Sequence, residues 1–300
     1  MKISWVFPGQ GSQKIGMGKN VITLNNAKNR FDFASKVFGR DLYTICEKDE
    51  AGQDNDQFDL NNTRNTQICL FLVESILLDS LKEKGFKPDF IAGHSLGEIT
   101  ALYAANVLSF EQCVDLIKVR SELMSNACEG SMAAIIGFNR NELDLEIDNI
   151  DDVVIANDNS SSQVVLSGSK EGLTNISSKL KCKRFINLNV SGAFHSNFMK
   201  VPSQKFAQYL DTIEFKTPIF PIISNSNPFL SIDPTELKIR LKNQMSNGVR
   251  WRETMDLMQS ESDHLQIIEI GPSNVLGGLA KRHLKGAQVT QISSSMNLDY

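Results

Sequence analysis

Phe90-Ile91-Ala92-Gly93-His94-Ser95-Leu96-Gly97-Glu98-Ile99-Thr100-Ala101-Leu102-Tyr103-Ala104-Ala105 decides the reading of this chain. The apolar run at 90–92 suits a short buried strand, and 98–105 a helix. Between them stands G-x-S-x-G, in the strand–elbow–helix context that this motif requires. Glycines flank the serine because the turn is too tight for side chains on either side. Such a turn pushes the Ser95 hydroxyl to the top of the sheet. The N–H of Leu96, at the start of the new helix, then points toward any oxyanion formed beside Ser95. By its letters alone the stretch is an ordinary turn; with a strand before and a helix after it, Ser95 reads as a nucleophile.

Upstream, the apolar run at 3–7 is stopped by Pro8 and followed by Gly9-Gln10-Gly11, a strand and a loop. Residues 47–66 are polar and aperiodic and read as a surface loop. A helix is predicted over 66–84, with Gly85 just past its end, and Ser109 with Gln112 predicts a capping box for a helix reaching about residue 128. The rhythm then changes. Strands at 132–137, 153–156, 163–167 and 183–188 alternate with helices at 141–150 and 170–180. That is β-α-β-β-α-β, the split βαβ of a ferredoxin-like unit. It occupies 129–194 and interrupts a larger α/β core made of 1–128 and 195–300, in which further strands are expected at 220–224 and 266–270.

Hydrophobic residues make up 41% of the 300 positions, enough for a sizeable core. Lys and Arg number 31 against 35 Asp and Glu, a net charge of −4. This leaves no basic excess for a nucleic acid. The composition also excludes disorder and a collagenous or disulfide-stapled fold. The cysteines (Cys46, Cys69, Cys113, Cys128 and Cys182) are scattered and lack a C-x-x-C pair, so a reducing compartment and no thiolate metal site are expected. The first residues are too short an apolar run for a signal peptide, and 68–78 is too short and interrupted to span a membrane. A soluble, cytoplasmic protein is the expectation.

A nucleophilic serine needs a base, and four histidines are available. His94 adjoins the nucleophile on a turn that points neighbours apart. His264 sits in a charged stretch, and His283 lies among Lys281, Arg282 and Lys285, which disfavour an imidazolium. His195, in Gly192-Ala193-Phe194-His195-Ser196, follows a strand where α/β folds place functional loops. On position alone it serves equally well as a base or as a structural helix cap. Gly9-Gln10-Gly11 is either a glycine-dependent turn or the loop that supplies a second oxyanion donor. Arg120 falls with Cys113, Ile117 and Met124 within roughly 40° on a helix turning ~100° per residue. A guanidinium on that inward stripe needs an anion, either an acid of the protein or a substrate carboxylate held bidentately.

The chain resembles the malonyl-CoA:acyl carrier protein transacylases, relatives of polyketide-synthase acyltransferase domains. The resemblance runs through Phe7-Pro8-Gly9-Gln10-Gly11-Ser12-Gln13, Gly93-His94-Ser95-Leu96-Gly97-Glu98, Met132-Ala133-Ala134-Ile135, Gly192-Ala193-Phe194-His195-Ser196 and Glu269-Ile270-Gly271-Pro272, in that order. It implies an α/β-hydrolase-like core with a ferredoxin-like insert. Ser95 would take the malonyl group, and His195 would act as base and acid. The N–H groups of Gln10 and Leu96 would form the oxyanion hole. Arg120 would clamp the malonyl carboxylate, and Phe194 would select malonyl over methylmalonyl. In place of a triad acid, the resemblance implies a backbone carbonyl orienting His195, and the matching position falls at Arg250. The chain departs from the family at Ile68, where Pro is common, and at Gly248, where Asn-Pro is frequent, an expected loosening of the loop that holds His195.

The resulting expectation is a ping-pong transfer from malonyl-CoA to the phosphopantetheine thiol of an acyl carrier protein, with no cofactor and no metal. The rivals are a serine hydrolase or thioesterase, which would recruit His264 or His283, a polyketide-serving acyltransferase, and a non-catalytic carrier-docking module.

Overall fold

The computed structural model of the protein describes residues 1–48 and 58–298, so part of the predicted loop at 47–66 lies outside the described residues. The elements run β1 (Lys2–Phe7), α1 (Ala27–Phe38), α2 (Leu42–Glu47), α3 (Thr63–Glu83), β2 (Phe90–Gly93), α4 (Gly97–Ala104) and α5 (Phe110–Asn126). Then come β3 (Ser131–Phe138), α6 (Arg140–Asp148), β4 (Val153–Ser160), β5 (Gln163–Gly168), α7 (Lys170–Lys179) and β6 (Cys182–Asn187). The chain closes with α8 (Lys200–Asp211), β7 (Ile222–Ile223), β8 (Leu230–Ser231), α9 (Pro234–Gln244), α10 (Trp251–Ser260), β9 (Leu265–Ile270), α11 (Val275–His283) and β10 (Gln288–Ile292).

Two sheets form among the described residues. One has the order β10-β9-β1-β2-β7-β8 and is parallel except where β8 pairs with β7. The other, β4-β5-β3-β6, is antiparallel throughout and is built from one continuous stretch of chain. The protein is therefore a mixed α/β fold with a largely parallel sheet and a second, antiparallel one.

Alternation along β1 shows why its sequence is apolar on every residue from Trp5 to Phe7. Trp5 and Phe7 join the large core formed with α3 and α5, while Val6 turns to a second core with Met255, Met258, Leu276 and Leu279 of α10 and α11. A strand covered on both faces has no solvated side to carry polar residues. A third core, centred on Ile135, Val164, Leu166 and Leu173, lies under the antiparallel sheet.

Local signals set most boundaries. The capping box of Ser109 and Gln112 is present at the start of α5. Helix α3 begins three residues before the expected start, because the Asn62 side chain accepts the N–H of Arg64. The polar residues Asn65, Thr66 and Gln67 are consequently buried in its first turns. The strand expected over 220–224 shrinks to two residues behind Pro221, which has no N–H for a ladder. Helix α1 ends on Gly39 in the left-handed region, and the Asp41 side chain caps α2 by accepting the Thr44 N–H. At the end of β9, Glu269 accepts the first N–H groups of α11, from Val275, Leu276 and Gly277. Among the described residues no helix is long and apolar enough to cross a membrane.

Candidate active site

The elbow between β2 and α4 is forced by contact rather than by glycine flexibility. A Cβ on Gly93 would lie 1.9 Å from the Gly97 backbone, and one on Gly97 would lie 2.0 Å from the Phe7 carbonyl. Ser95 is left at φ 52, in the left-handed region that non-glycine residues rarely adopt. Asn225, just after β7, secures this geometry. Its side chain accepts the Ser95 N–H at 2.6 Å and donates to the Gly93 carbonyl at 2.5 Å.

His195, in the loop after β6 and also left-handed at φ 58, faces the serine. Its Nε2 lies 2.9 Å from Ser95 Oγ. On the far side of the ring, Nδ1 lies 2.9 Å from the Gln244 carbonyl and 3.1 Å from that of Asn247. Carbonyls only accept, so Nδ1 carries the proton and the Nε2 lone pair points at the hydroxyl. Burial, helped by the nearby Arg120 cation, lowers the imidazole pKa to about 4, which keeps the ring neutral.

This corrects the expectation at Arg250. Arg250 is the N-cap of α10, and its carbonyl accepts the Thr254 N–H and hydroxyl. Its side chain pairs with Glu253. Helix starts commit their carbonyls to the first helical turn, whereas the end of α9 leaves carbonyls without helical partners. Gln244, the last residue of α9, supplies one of these.

Arg120 is 1% exposed, and among the described residues no carboxylate lies within salt-bridge distance of it. Its Nη1 donates to Gln67 Oε1 at 2.5 Å, and its Nη2 donates to Gln244 Oε1 at 2.9 Å and to Ser95 Oγ at 3.1 Å. Its Nε has no partner. The nearest acid, Glu98, is separated from it by Gln244, whose Nε2 donates to Glu98 at 2.8 Å. Burial lowers the guanidinium pKa to about 10 against the pull of Glu98, so it remains a cation. A buried cation ringed by neutral amides holds an unsatisfied demand for an anion.

These groups line a cavity of about 80 Å³ with Gln10, Leu96, Met124, Met132, Leu188, Val190 and Phe194. The N–H groups of Gln10 and Leu96 have no acceptor among the described residues. Both border the cavity beside Ser95, where two donors can meet one developing oxyanion. Phe194 is buried in the wall next to His195. Ser95, His195, Gln10, Leu96, Arg120 and Phe194 thus come together, while Arg250 does not line the cavity.

The other histidines take different places. His94 also borders the cavity, but its Nε2 lies 2.9 Å from the Asn159 side-chain oxygen and its ring packs edge-on against Trp251. His264 is exposed. His283 faces a carboxylate, Asp256, at 2.7 Å, and not only the cations beside it in sequence. Gln67, Asn225 and Gln244 also serve the site, and no motif marks them as functional. A signal existed only for Gln67, an amide at the head of an otherwise apolar helix; Gln244 belongs to a helix whose letters mark nothing.

The whole chain is similar to known acyltransferases. The acyl transferase domain family model matches residues 4–298. The chain is 45% identical over 282 residues to the malonyl CoA-acyl carrier protein transacylase of a Synechocystis species, covering 94% of each sequence. The crystal structure of the malonyl-CoA:ACP transacylase of Synechocystis superposes with a TM-score of 0.94 at 42% identity, over 100% of this chain and 99% of that one. A malonyl-transacylase solved in complex with its type II polyketide-synthase acyl carrier protein superposes at 0.90 with 32% identity, over 99% and 98% of the two chains.

Proposed function

Because the chain belongs to the malonyl-CoA:acyl carrier protein transacylases of the acyl transferase domain family, we propose that it moves malonyl from malonyl-CoA to the phosphopantetheine thiol of an acyl carrier protein through an ester on Ser95, supplying fatty acid synthesis. The observation that carries the substrate is Arg120, a buried cation beside the Ser95 hydroxyl with no acid paired to it among the described residues. It fits a malonyl carboxylate, which accepts both guanidinium donors as the surrounding amides give way.

The steps follow from the geometry. Neutral His195 takes the Ser95 proton at Nε2 as Oγ attacks the thioester carbonyl, and the carbonyls of Gln244 and Asn247 stabilise the imidazolium at Nδ1. The oxyanion faces the N–H groups of Gln10 and Leu96. His195 returns the proton to the CoA sulfur as the C–S bond breaks. The carrier thiol then gives its proton to His195 and attacks the malonyl ester, and His195 passes that proton to Ser95 Oγ as the ester C–O bond breaks. A thioester and a serine ester are close in energy, so the transfer runs in both directions. No cofactor is needed, since the thioester is itself the activated donor.

Within this reading the largely parallel sheet is an α/β-hydrolase-like core, residues 1–128 and 195–300. The antiparallel unit, 129–194, is its ferredoxin-like insert, and the enzyme works in the cytoplasm. A hydrolase built on the same elbow is disfavoured because neither His264 nor His283 lines the cavity. Intact-mass analysis after malonyl-CoA treatment tests the proposal. Wild-type protein should gain one malonyl group that acyl carrier protein removes, and Ser95→Ala should gain none. Labelled Ser95→Ala, or CoA release without transfer to the carrier, would sink it.

A further inference from the structure

Of the two carbonyls that orient His195, that of Gln244 ends α9, and that of Asn247 belongs to the irregular segment between α9 and α10, which is fixed by the second sheet. Val249 pairs with Asn157 of β4 in an isolated parallel bridge. The Asp158 N–H donates to the Val249 carbonyl at 2.9 Å, and the Val249 N–H donates to Ala156 at 2.8 Å. Gly248 approaches β4 so closely that a Cβ would lie 2.7 Å from the Ile155 carbonyl. The glycine expected to loosen this loop is what lets it close on β4.

Asp158 sits at the centre of the contact, 7% exposed. Its carboxylate accepts Arg140 Nη1 at 3.2 Å on each oxygen, and Arg252 Nε at 3.2 Å and Nη2 at 3.0 Å on one of them. Arg140 opens α6 within the antiparallel unit, and Arg252 stands in the first turn of α10. Through its amide Asp158 holds the strap at Val249, and through its carboxylate it holds the helix that follows. Two cations meeting one carboxylate in a shallow, mostly buried site make a directional tie, and removing the acid leaves them facing each other.

We infer that Asp158 is a positioning residue for His195. By pinning residues 247–252 to β4, it keeps the Asn247 carbonyl on Nδ1 and so does at a distance part of what a triad acid does by contact. It touches neither Ser95 nor His195. The inference rests on the transfer reading of the site.

Asp158→Asn tests it, because the variant keeps the backbone N–H hydrogen bond to the Val249 carbonyl and the side-chain shape but removes the charge. Malonyl exchange should fall about tenfold in kcat, with KM within about twofold, as expected when a reacting group is slightly misplaced. The acid limb for fluorophosphonate labelling of Ser95 should move to lower pH, since an imidazole with a weakened Nδ1 acceptor holds its proton less well. Arg252→Gln, which leaves Asp158 paired with Arg140, should act in the same direction and serves if Asp158→Asn does not fold; Arg252→Lys should restore most of the rate. Leu173→Ala, in the core under the same sheet, should lower the melting temperature with the limb unmoved. Wild-type kcat and limb in both Asp158→Asn and Arg252→Gln would overturn the inference. So would a Leu173→Ala variant that reproduces their kcat loss and limb shift. Wild-type protein that exchanges no malonyl would overturn the transfer reading first, and the inference with it.

Discussion

Ser95 and His195 stand a hundred positions apart in sequence, both in the left-handed backbone region at φ 52 and φ 58, with Oγ and Nε2 2.9 Å apart. Neither is glycine, and each is held by its neighbours: Ser95 by Asn225, His195 by the Met245 carbonyl that accepts its N–H. Strain of this kind collects where a reacting side chain must be presented in one direction.

The strain at Ser95 has a thermal signature. A left-handed residue carrying a Cβ costs roughly 1–2 kcal/mol relative to glycine. Ser95→Gly and Ser95→Ala both lose the hydroxyl, so their difference isolates the backbone. Ser95→Gly should melt above Ser95→Ala by about 2 °C or more for a chain of this size, with both inactive. Equal melting temperatures would mean that the elbow stores no strain at this position.

The acid side of the pH profile follows from the burial of His195. Only the neutral ring can accept the serine proton, and its pKa is lowered to about 4 by burial and then by Arg120. Ser95 labelling by a fluorophosphonate, which brings no titrating group, should hold its rate from pH 7 to about 5 and fall through about 4. Arg120→Gln removes a nearby positive charge and should move that limb upward. Stability shares the cause. The folded pKa lies below the ordinary histidine value of about 6.5, so the unfolded chain takes up the proton first, and this contribution to stability is lost as pH falls from about 6.5 toward 4. A limb at 6.5 that ignores Arg120→Gln would contradict the assignment of His195 as a buried base.

The sequence made the elbow, the capping box and the β-α-β-β-α-β order legible because each is a local pattern. Ser95, Arg120 and His195 could be picked out because each breaks its surroundings: a serine between glycines, a cation on an apolar stripe, a histidine just past a strand. The carbonyl that orients His195 could not be located in this way. Gln244 and Asn247 act through backbone oxygens that any residue possesses, and only the end of α9 leaves those oxygens free. Gln67 and Asn225 were hidden for a related reason. Amides are common on surfaces, and it is the packing of α3 against α5, and of β2 against β7, that brings these two inside.

Selectivity for a carboxylated acyl group should rest on Arg120. With no acid among the described residues to satisfy it, the guanidinium leans on Gln67, Gln244 and the serine hydroxyl, which are weaker partners than a carboxylate. Malonyl brings that carboxylate and acetyl does not. Each charge-assisted hydrogen bond contributes about 1.5–3 kcal/mol, so Arg120→Ala should cost malonyl transfer on the order of a hundredfold in kcat/KM. Acetyl transfer, which never used the pair, should change by less than about tenfold. The comparison is a competition between malonyl-CoA and acetyl-CoA for one acyl carrier protein, read as the ratio of the two acyl-carrier products. Arg120→Lys should recover only part of the ratio, because a single ammonium cannot reproduce the two-pronged fit. If Arg120→Ala kept the wild-type malonyl-to-acetyl ratio, the carboxylate would have to be held elsewhere, and the cavity wall around Gln10 and Gln67 would be the next place to look.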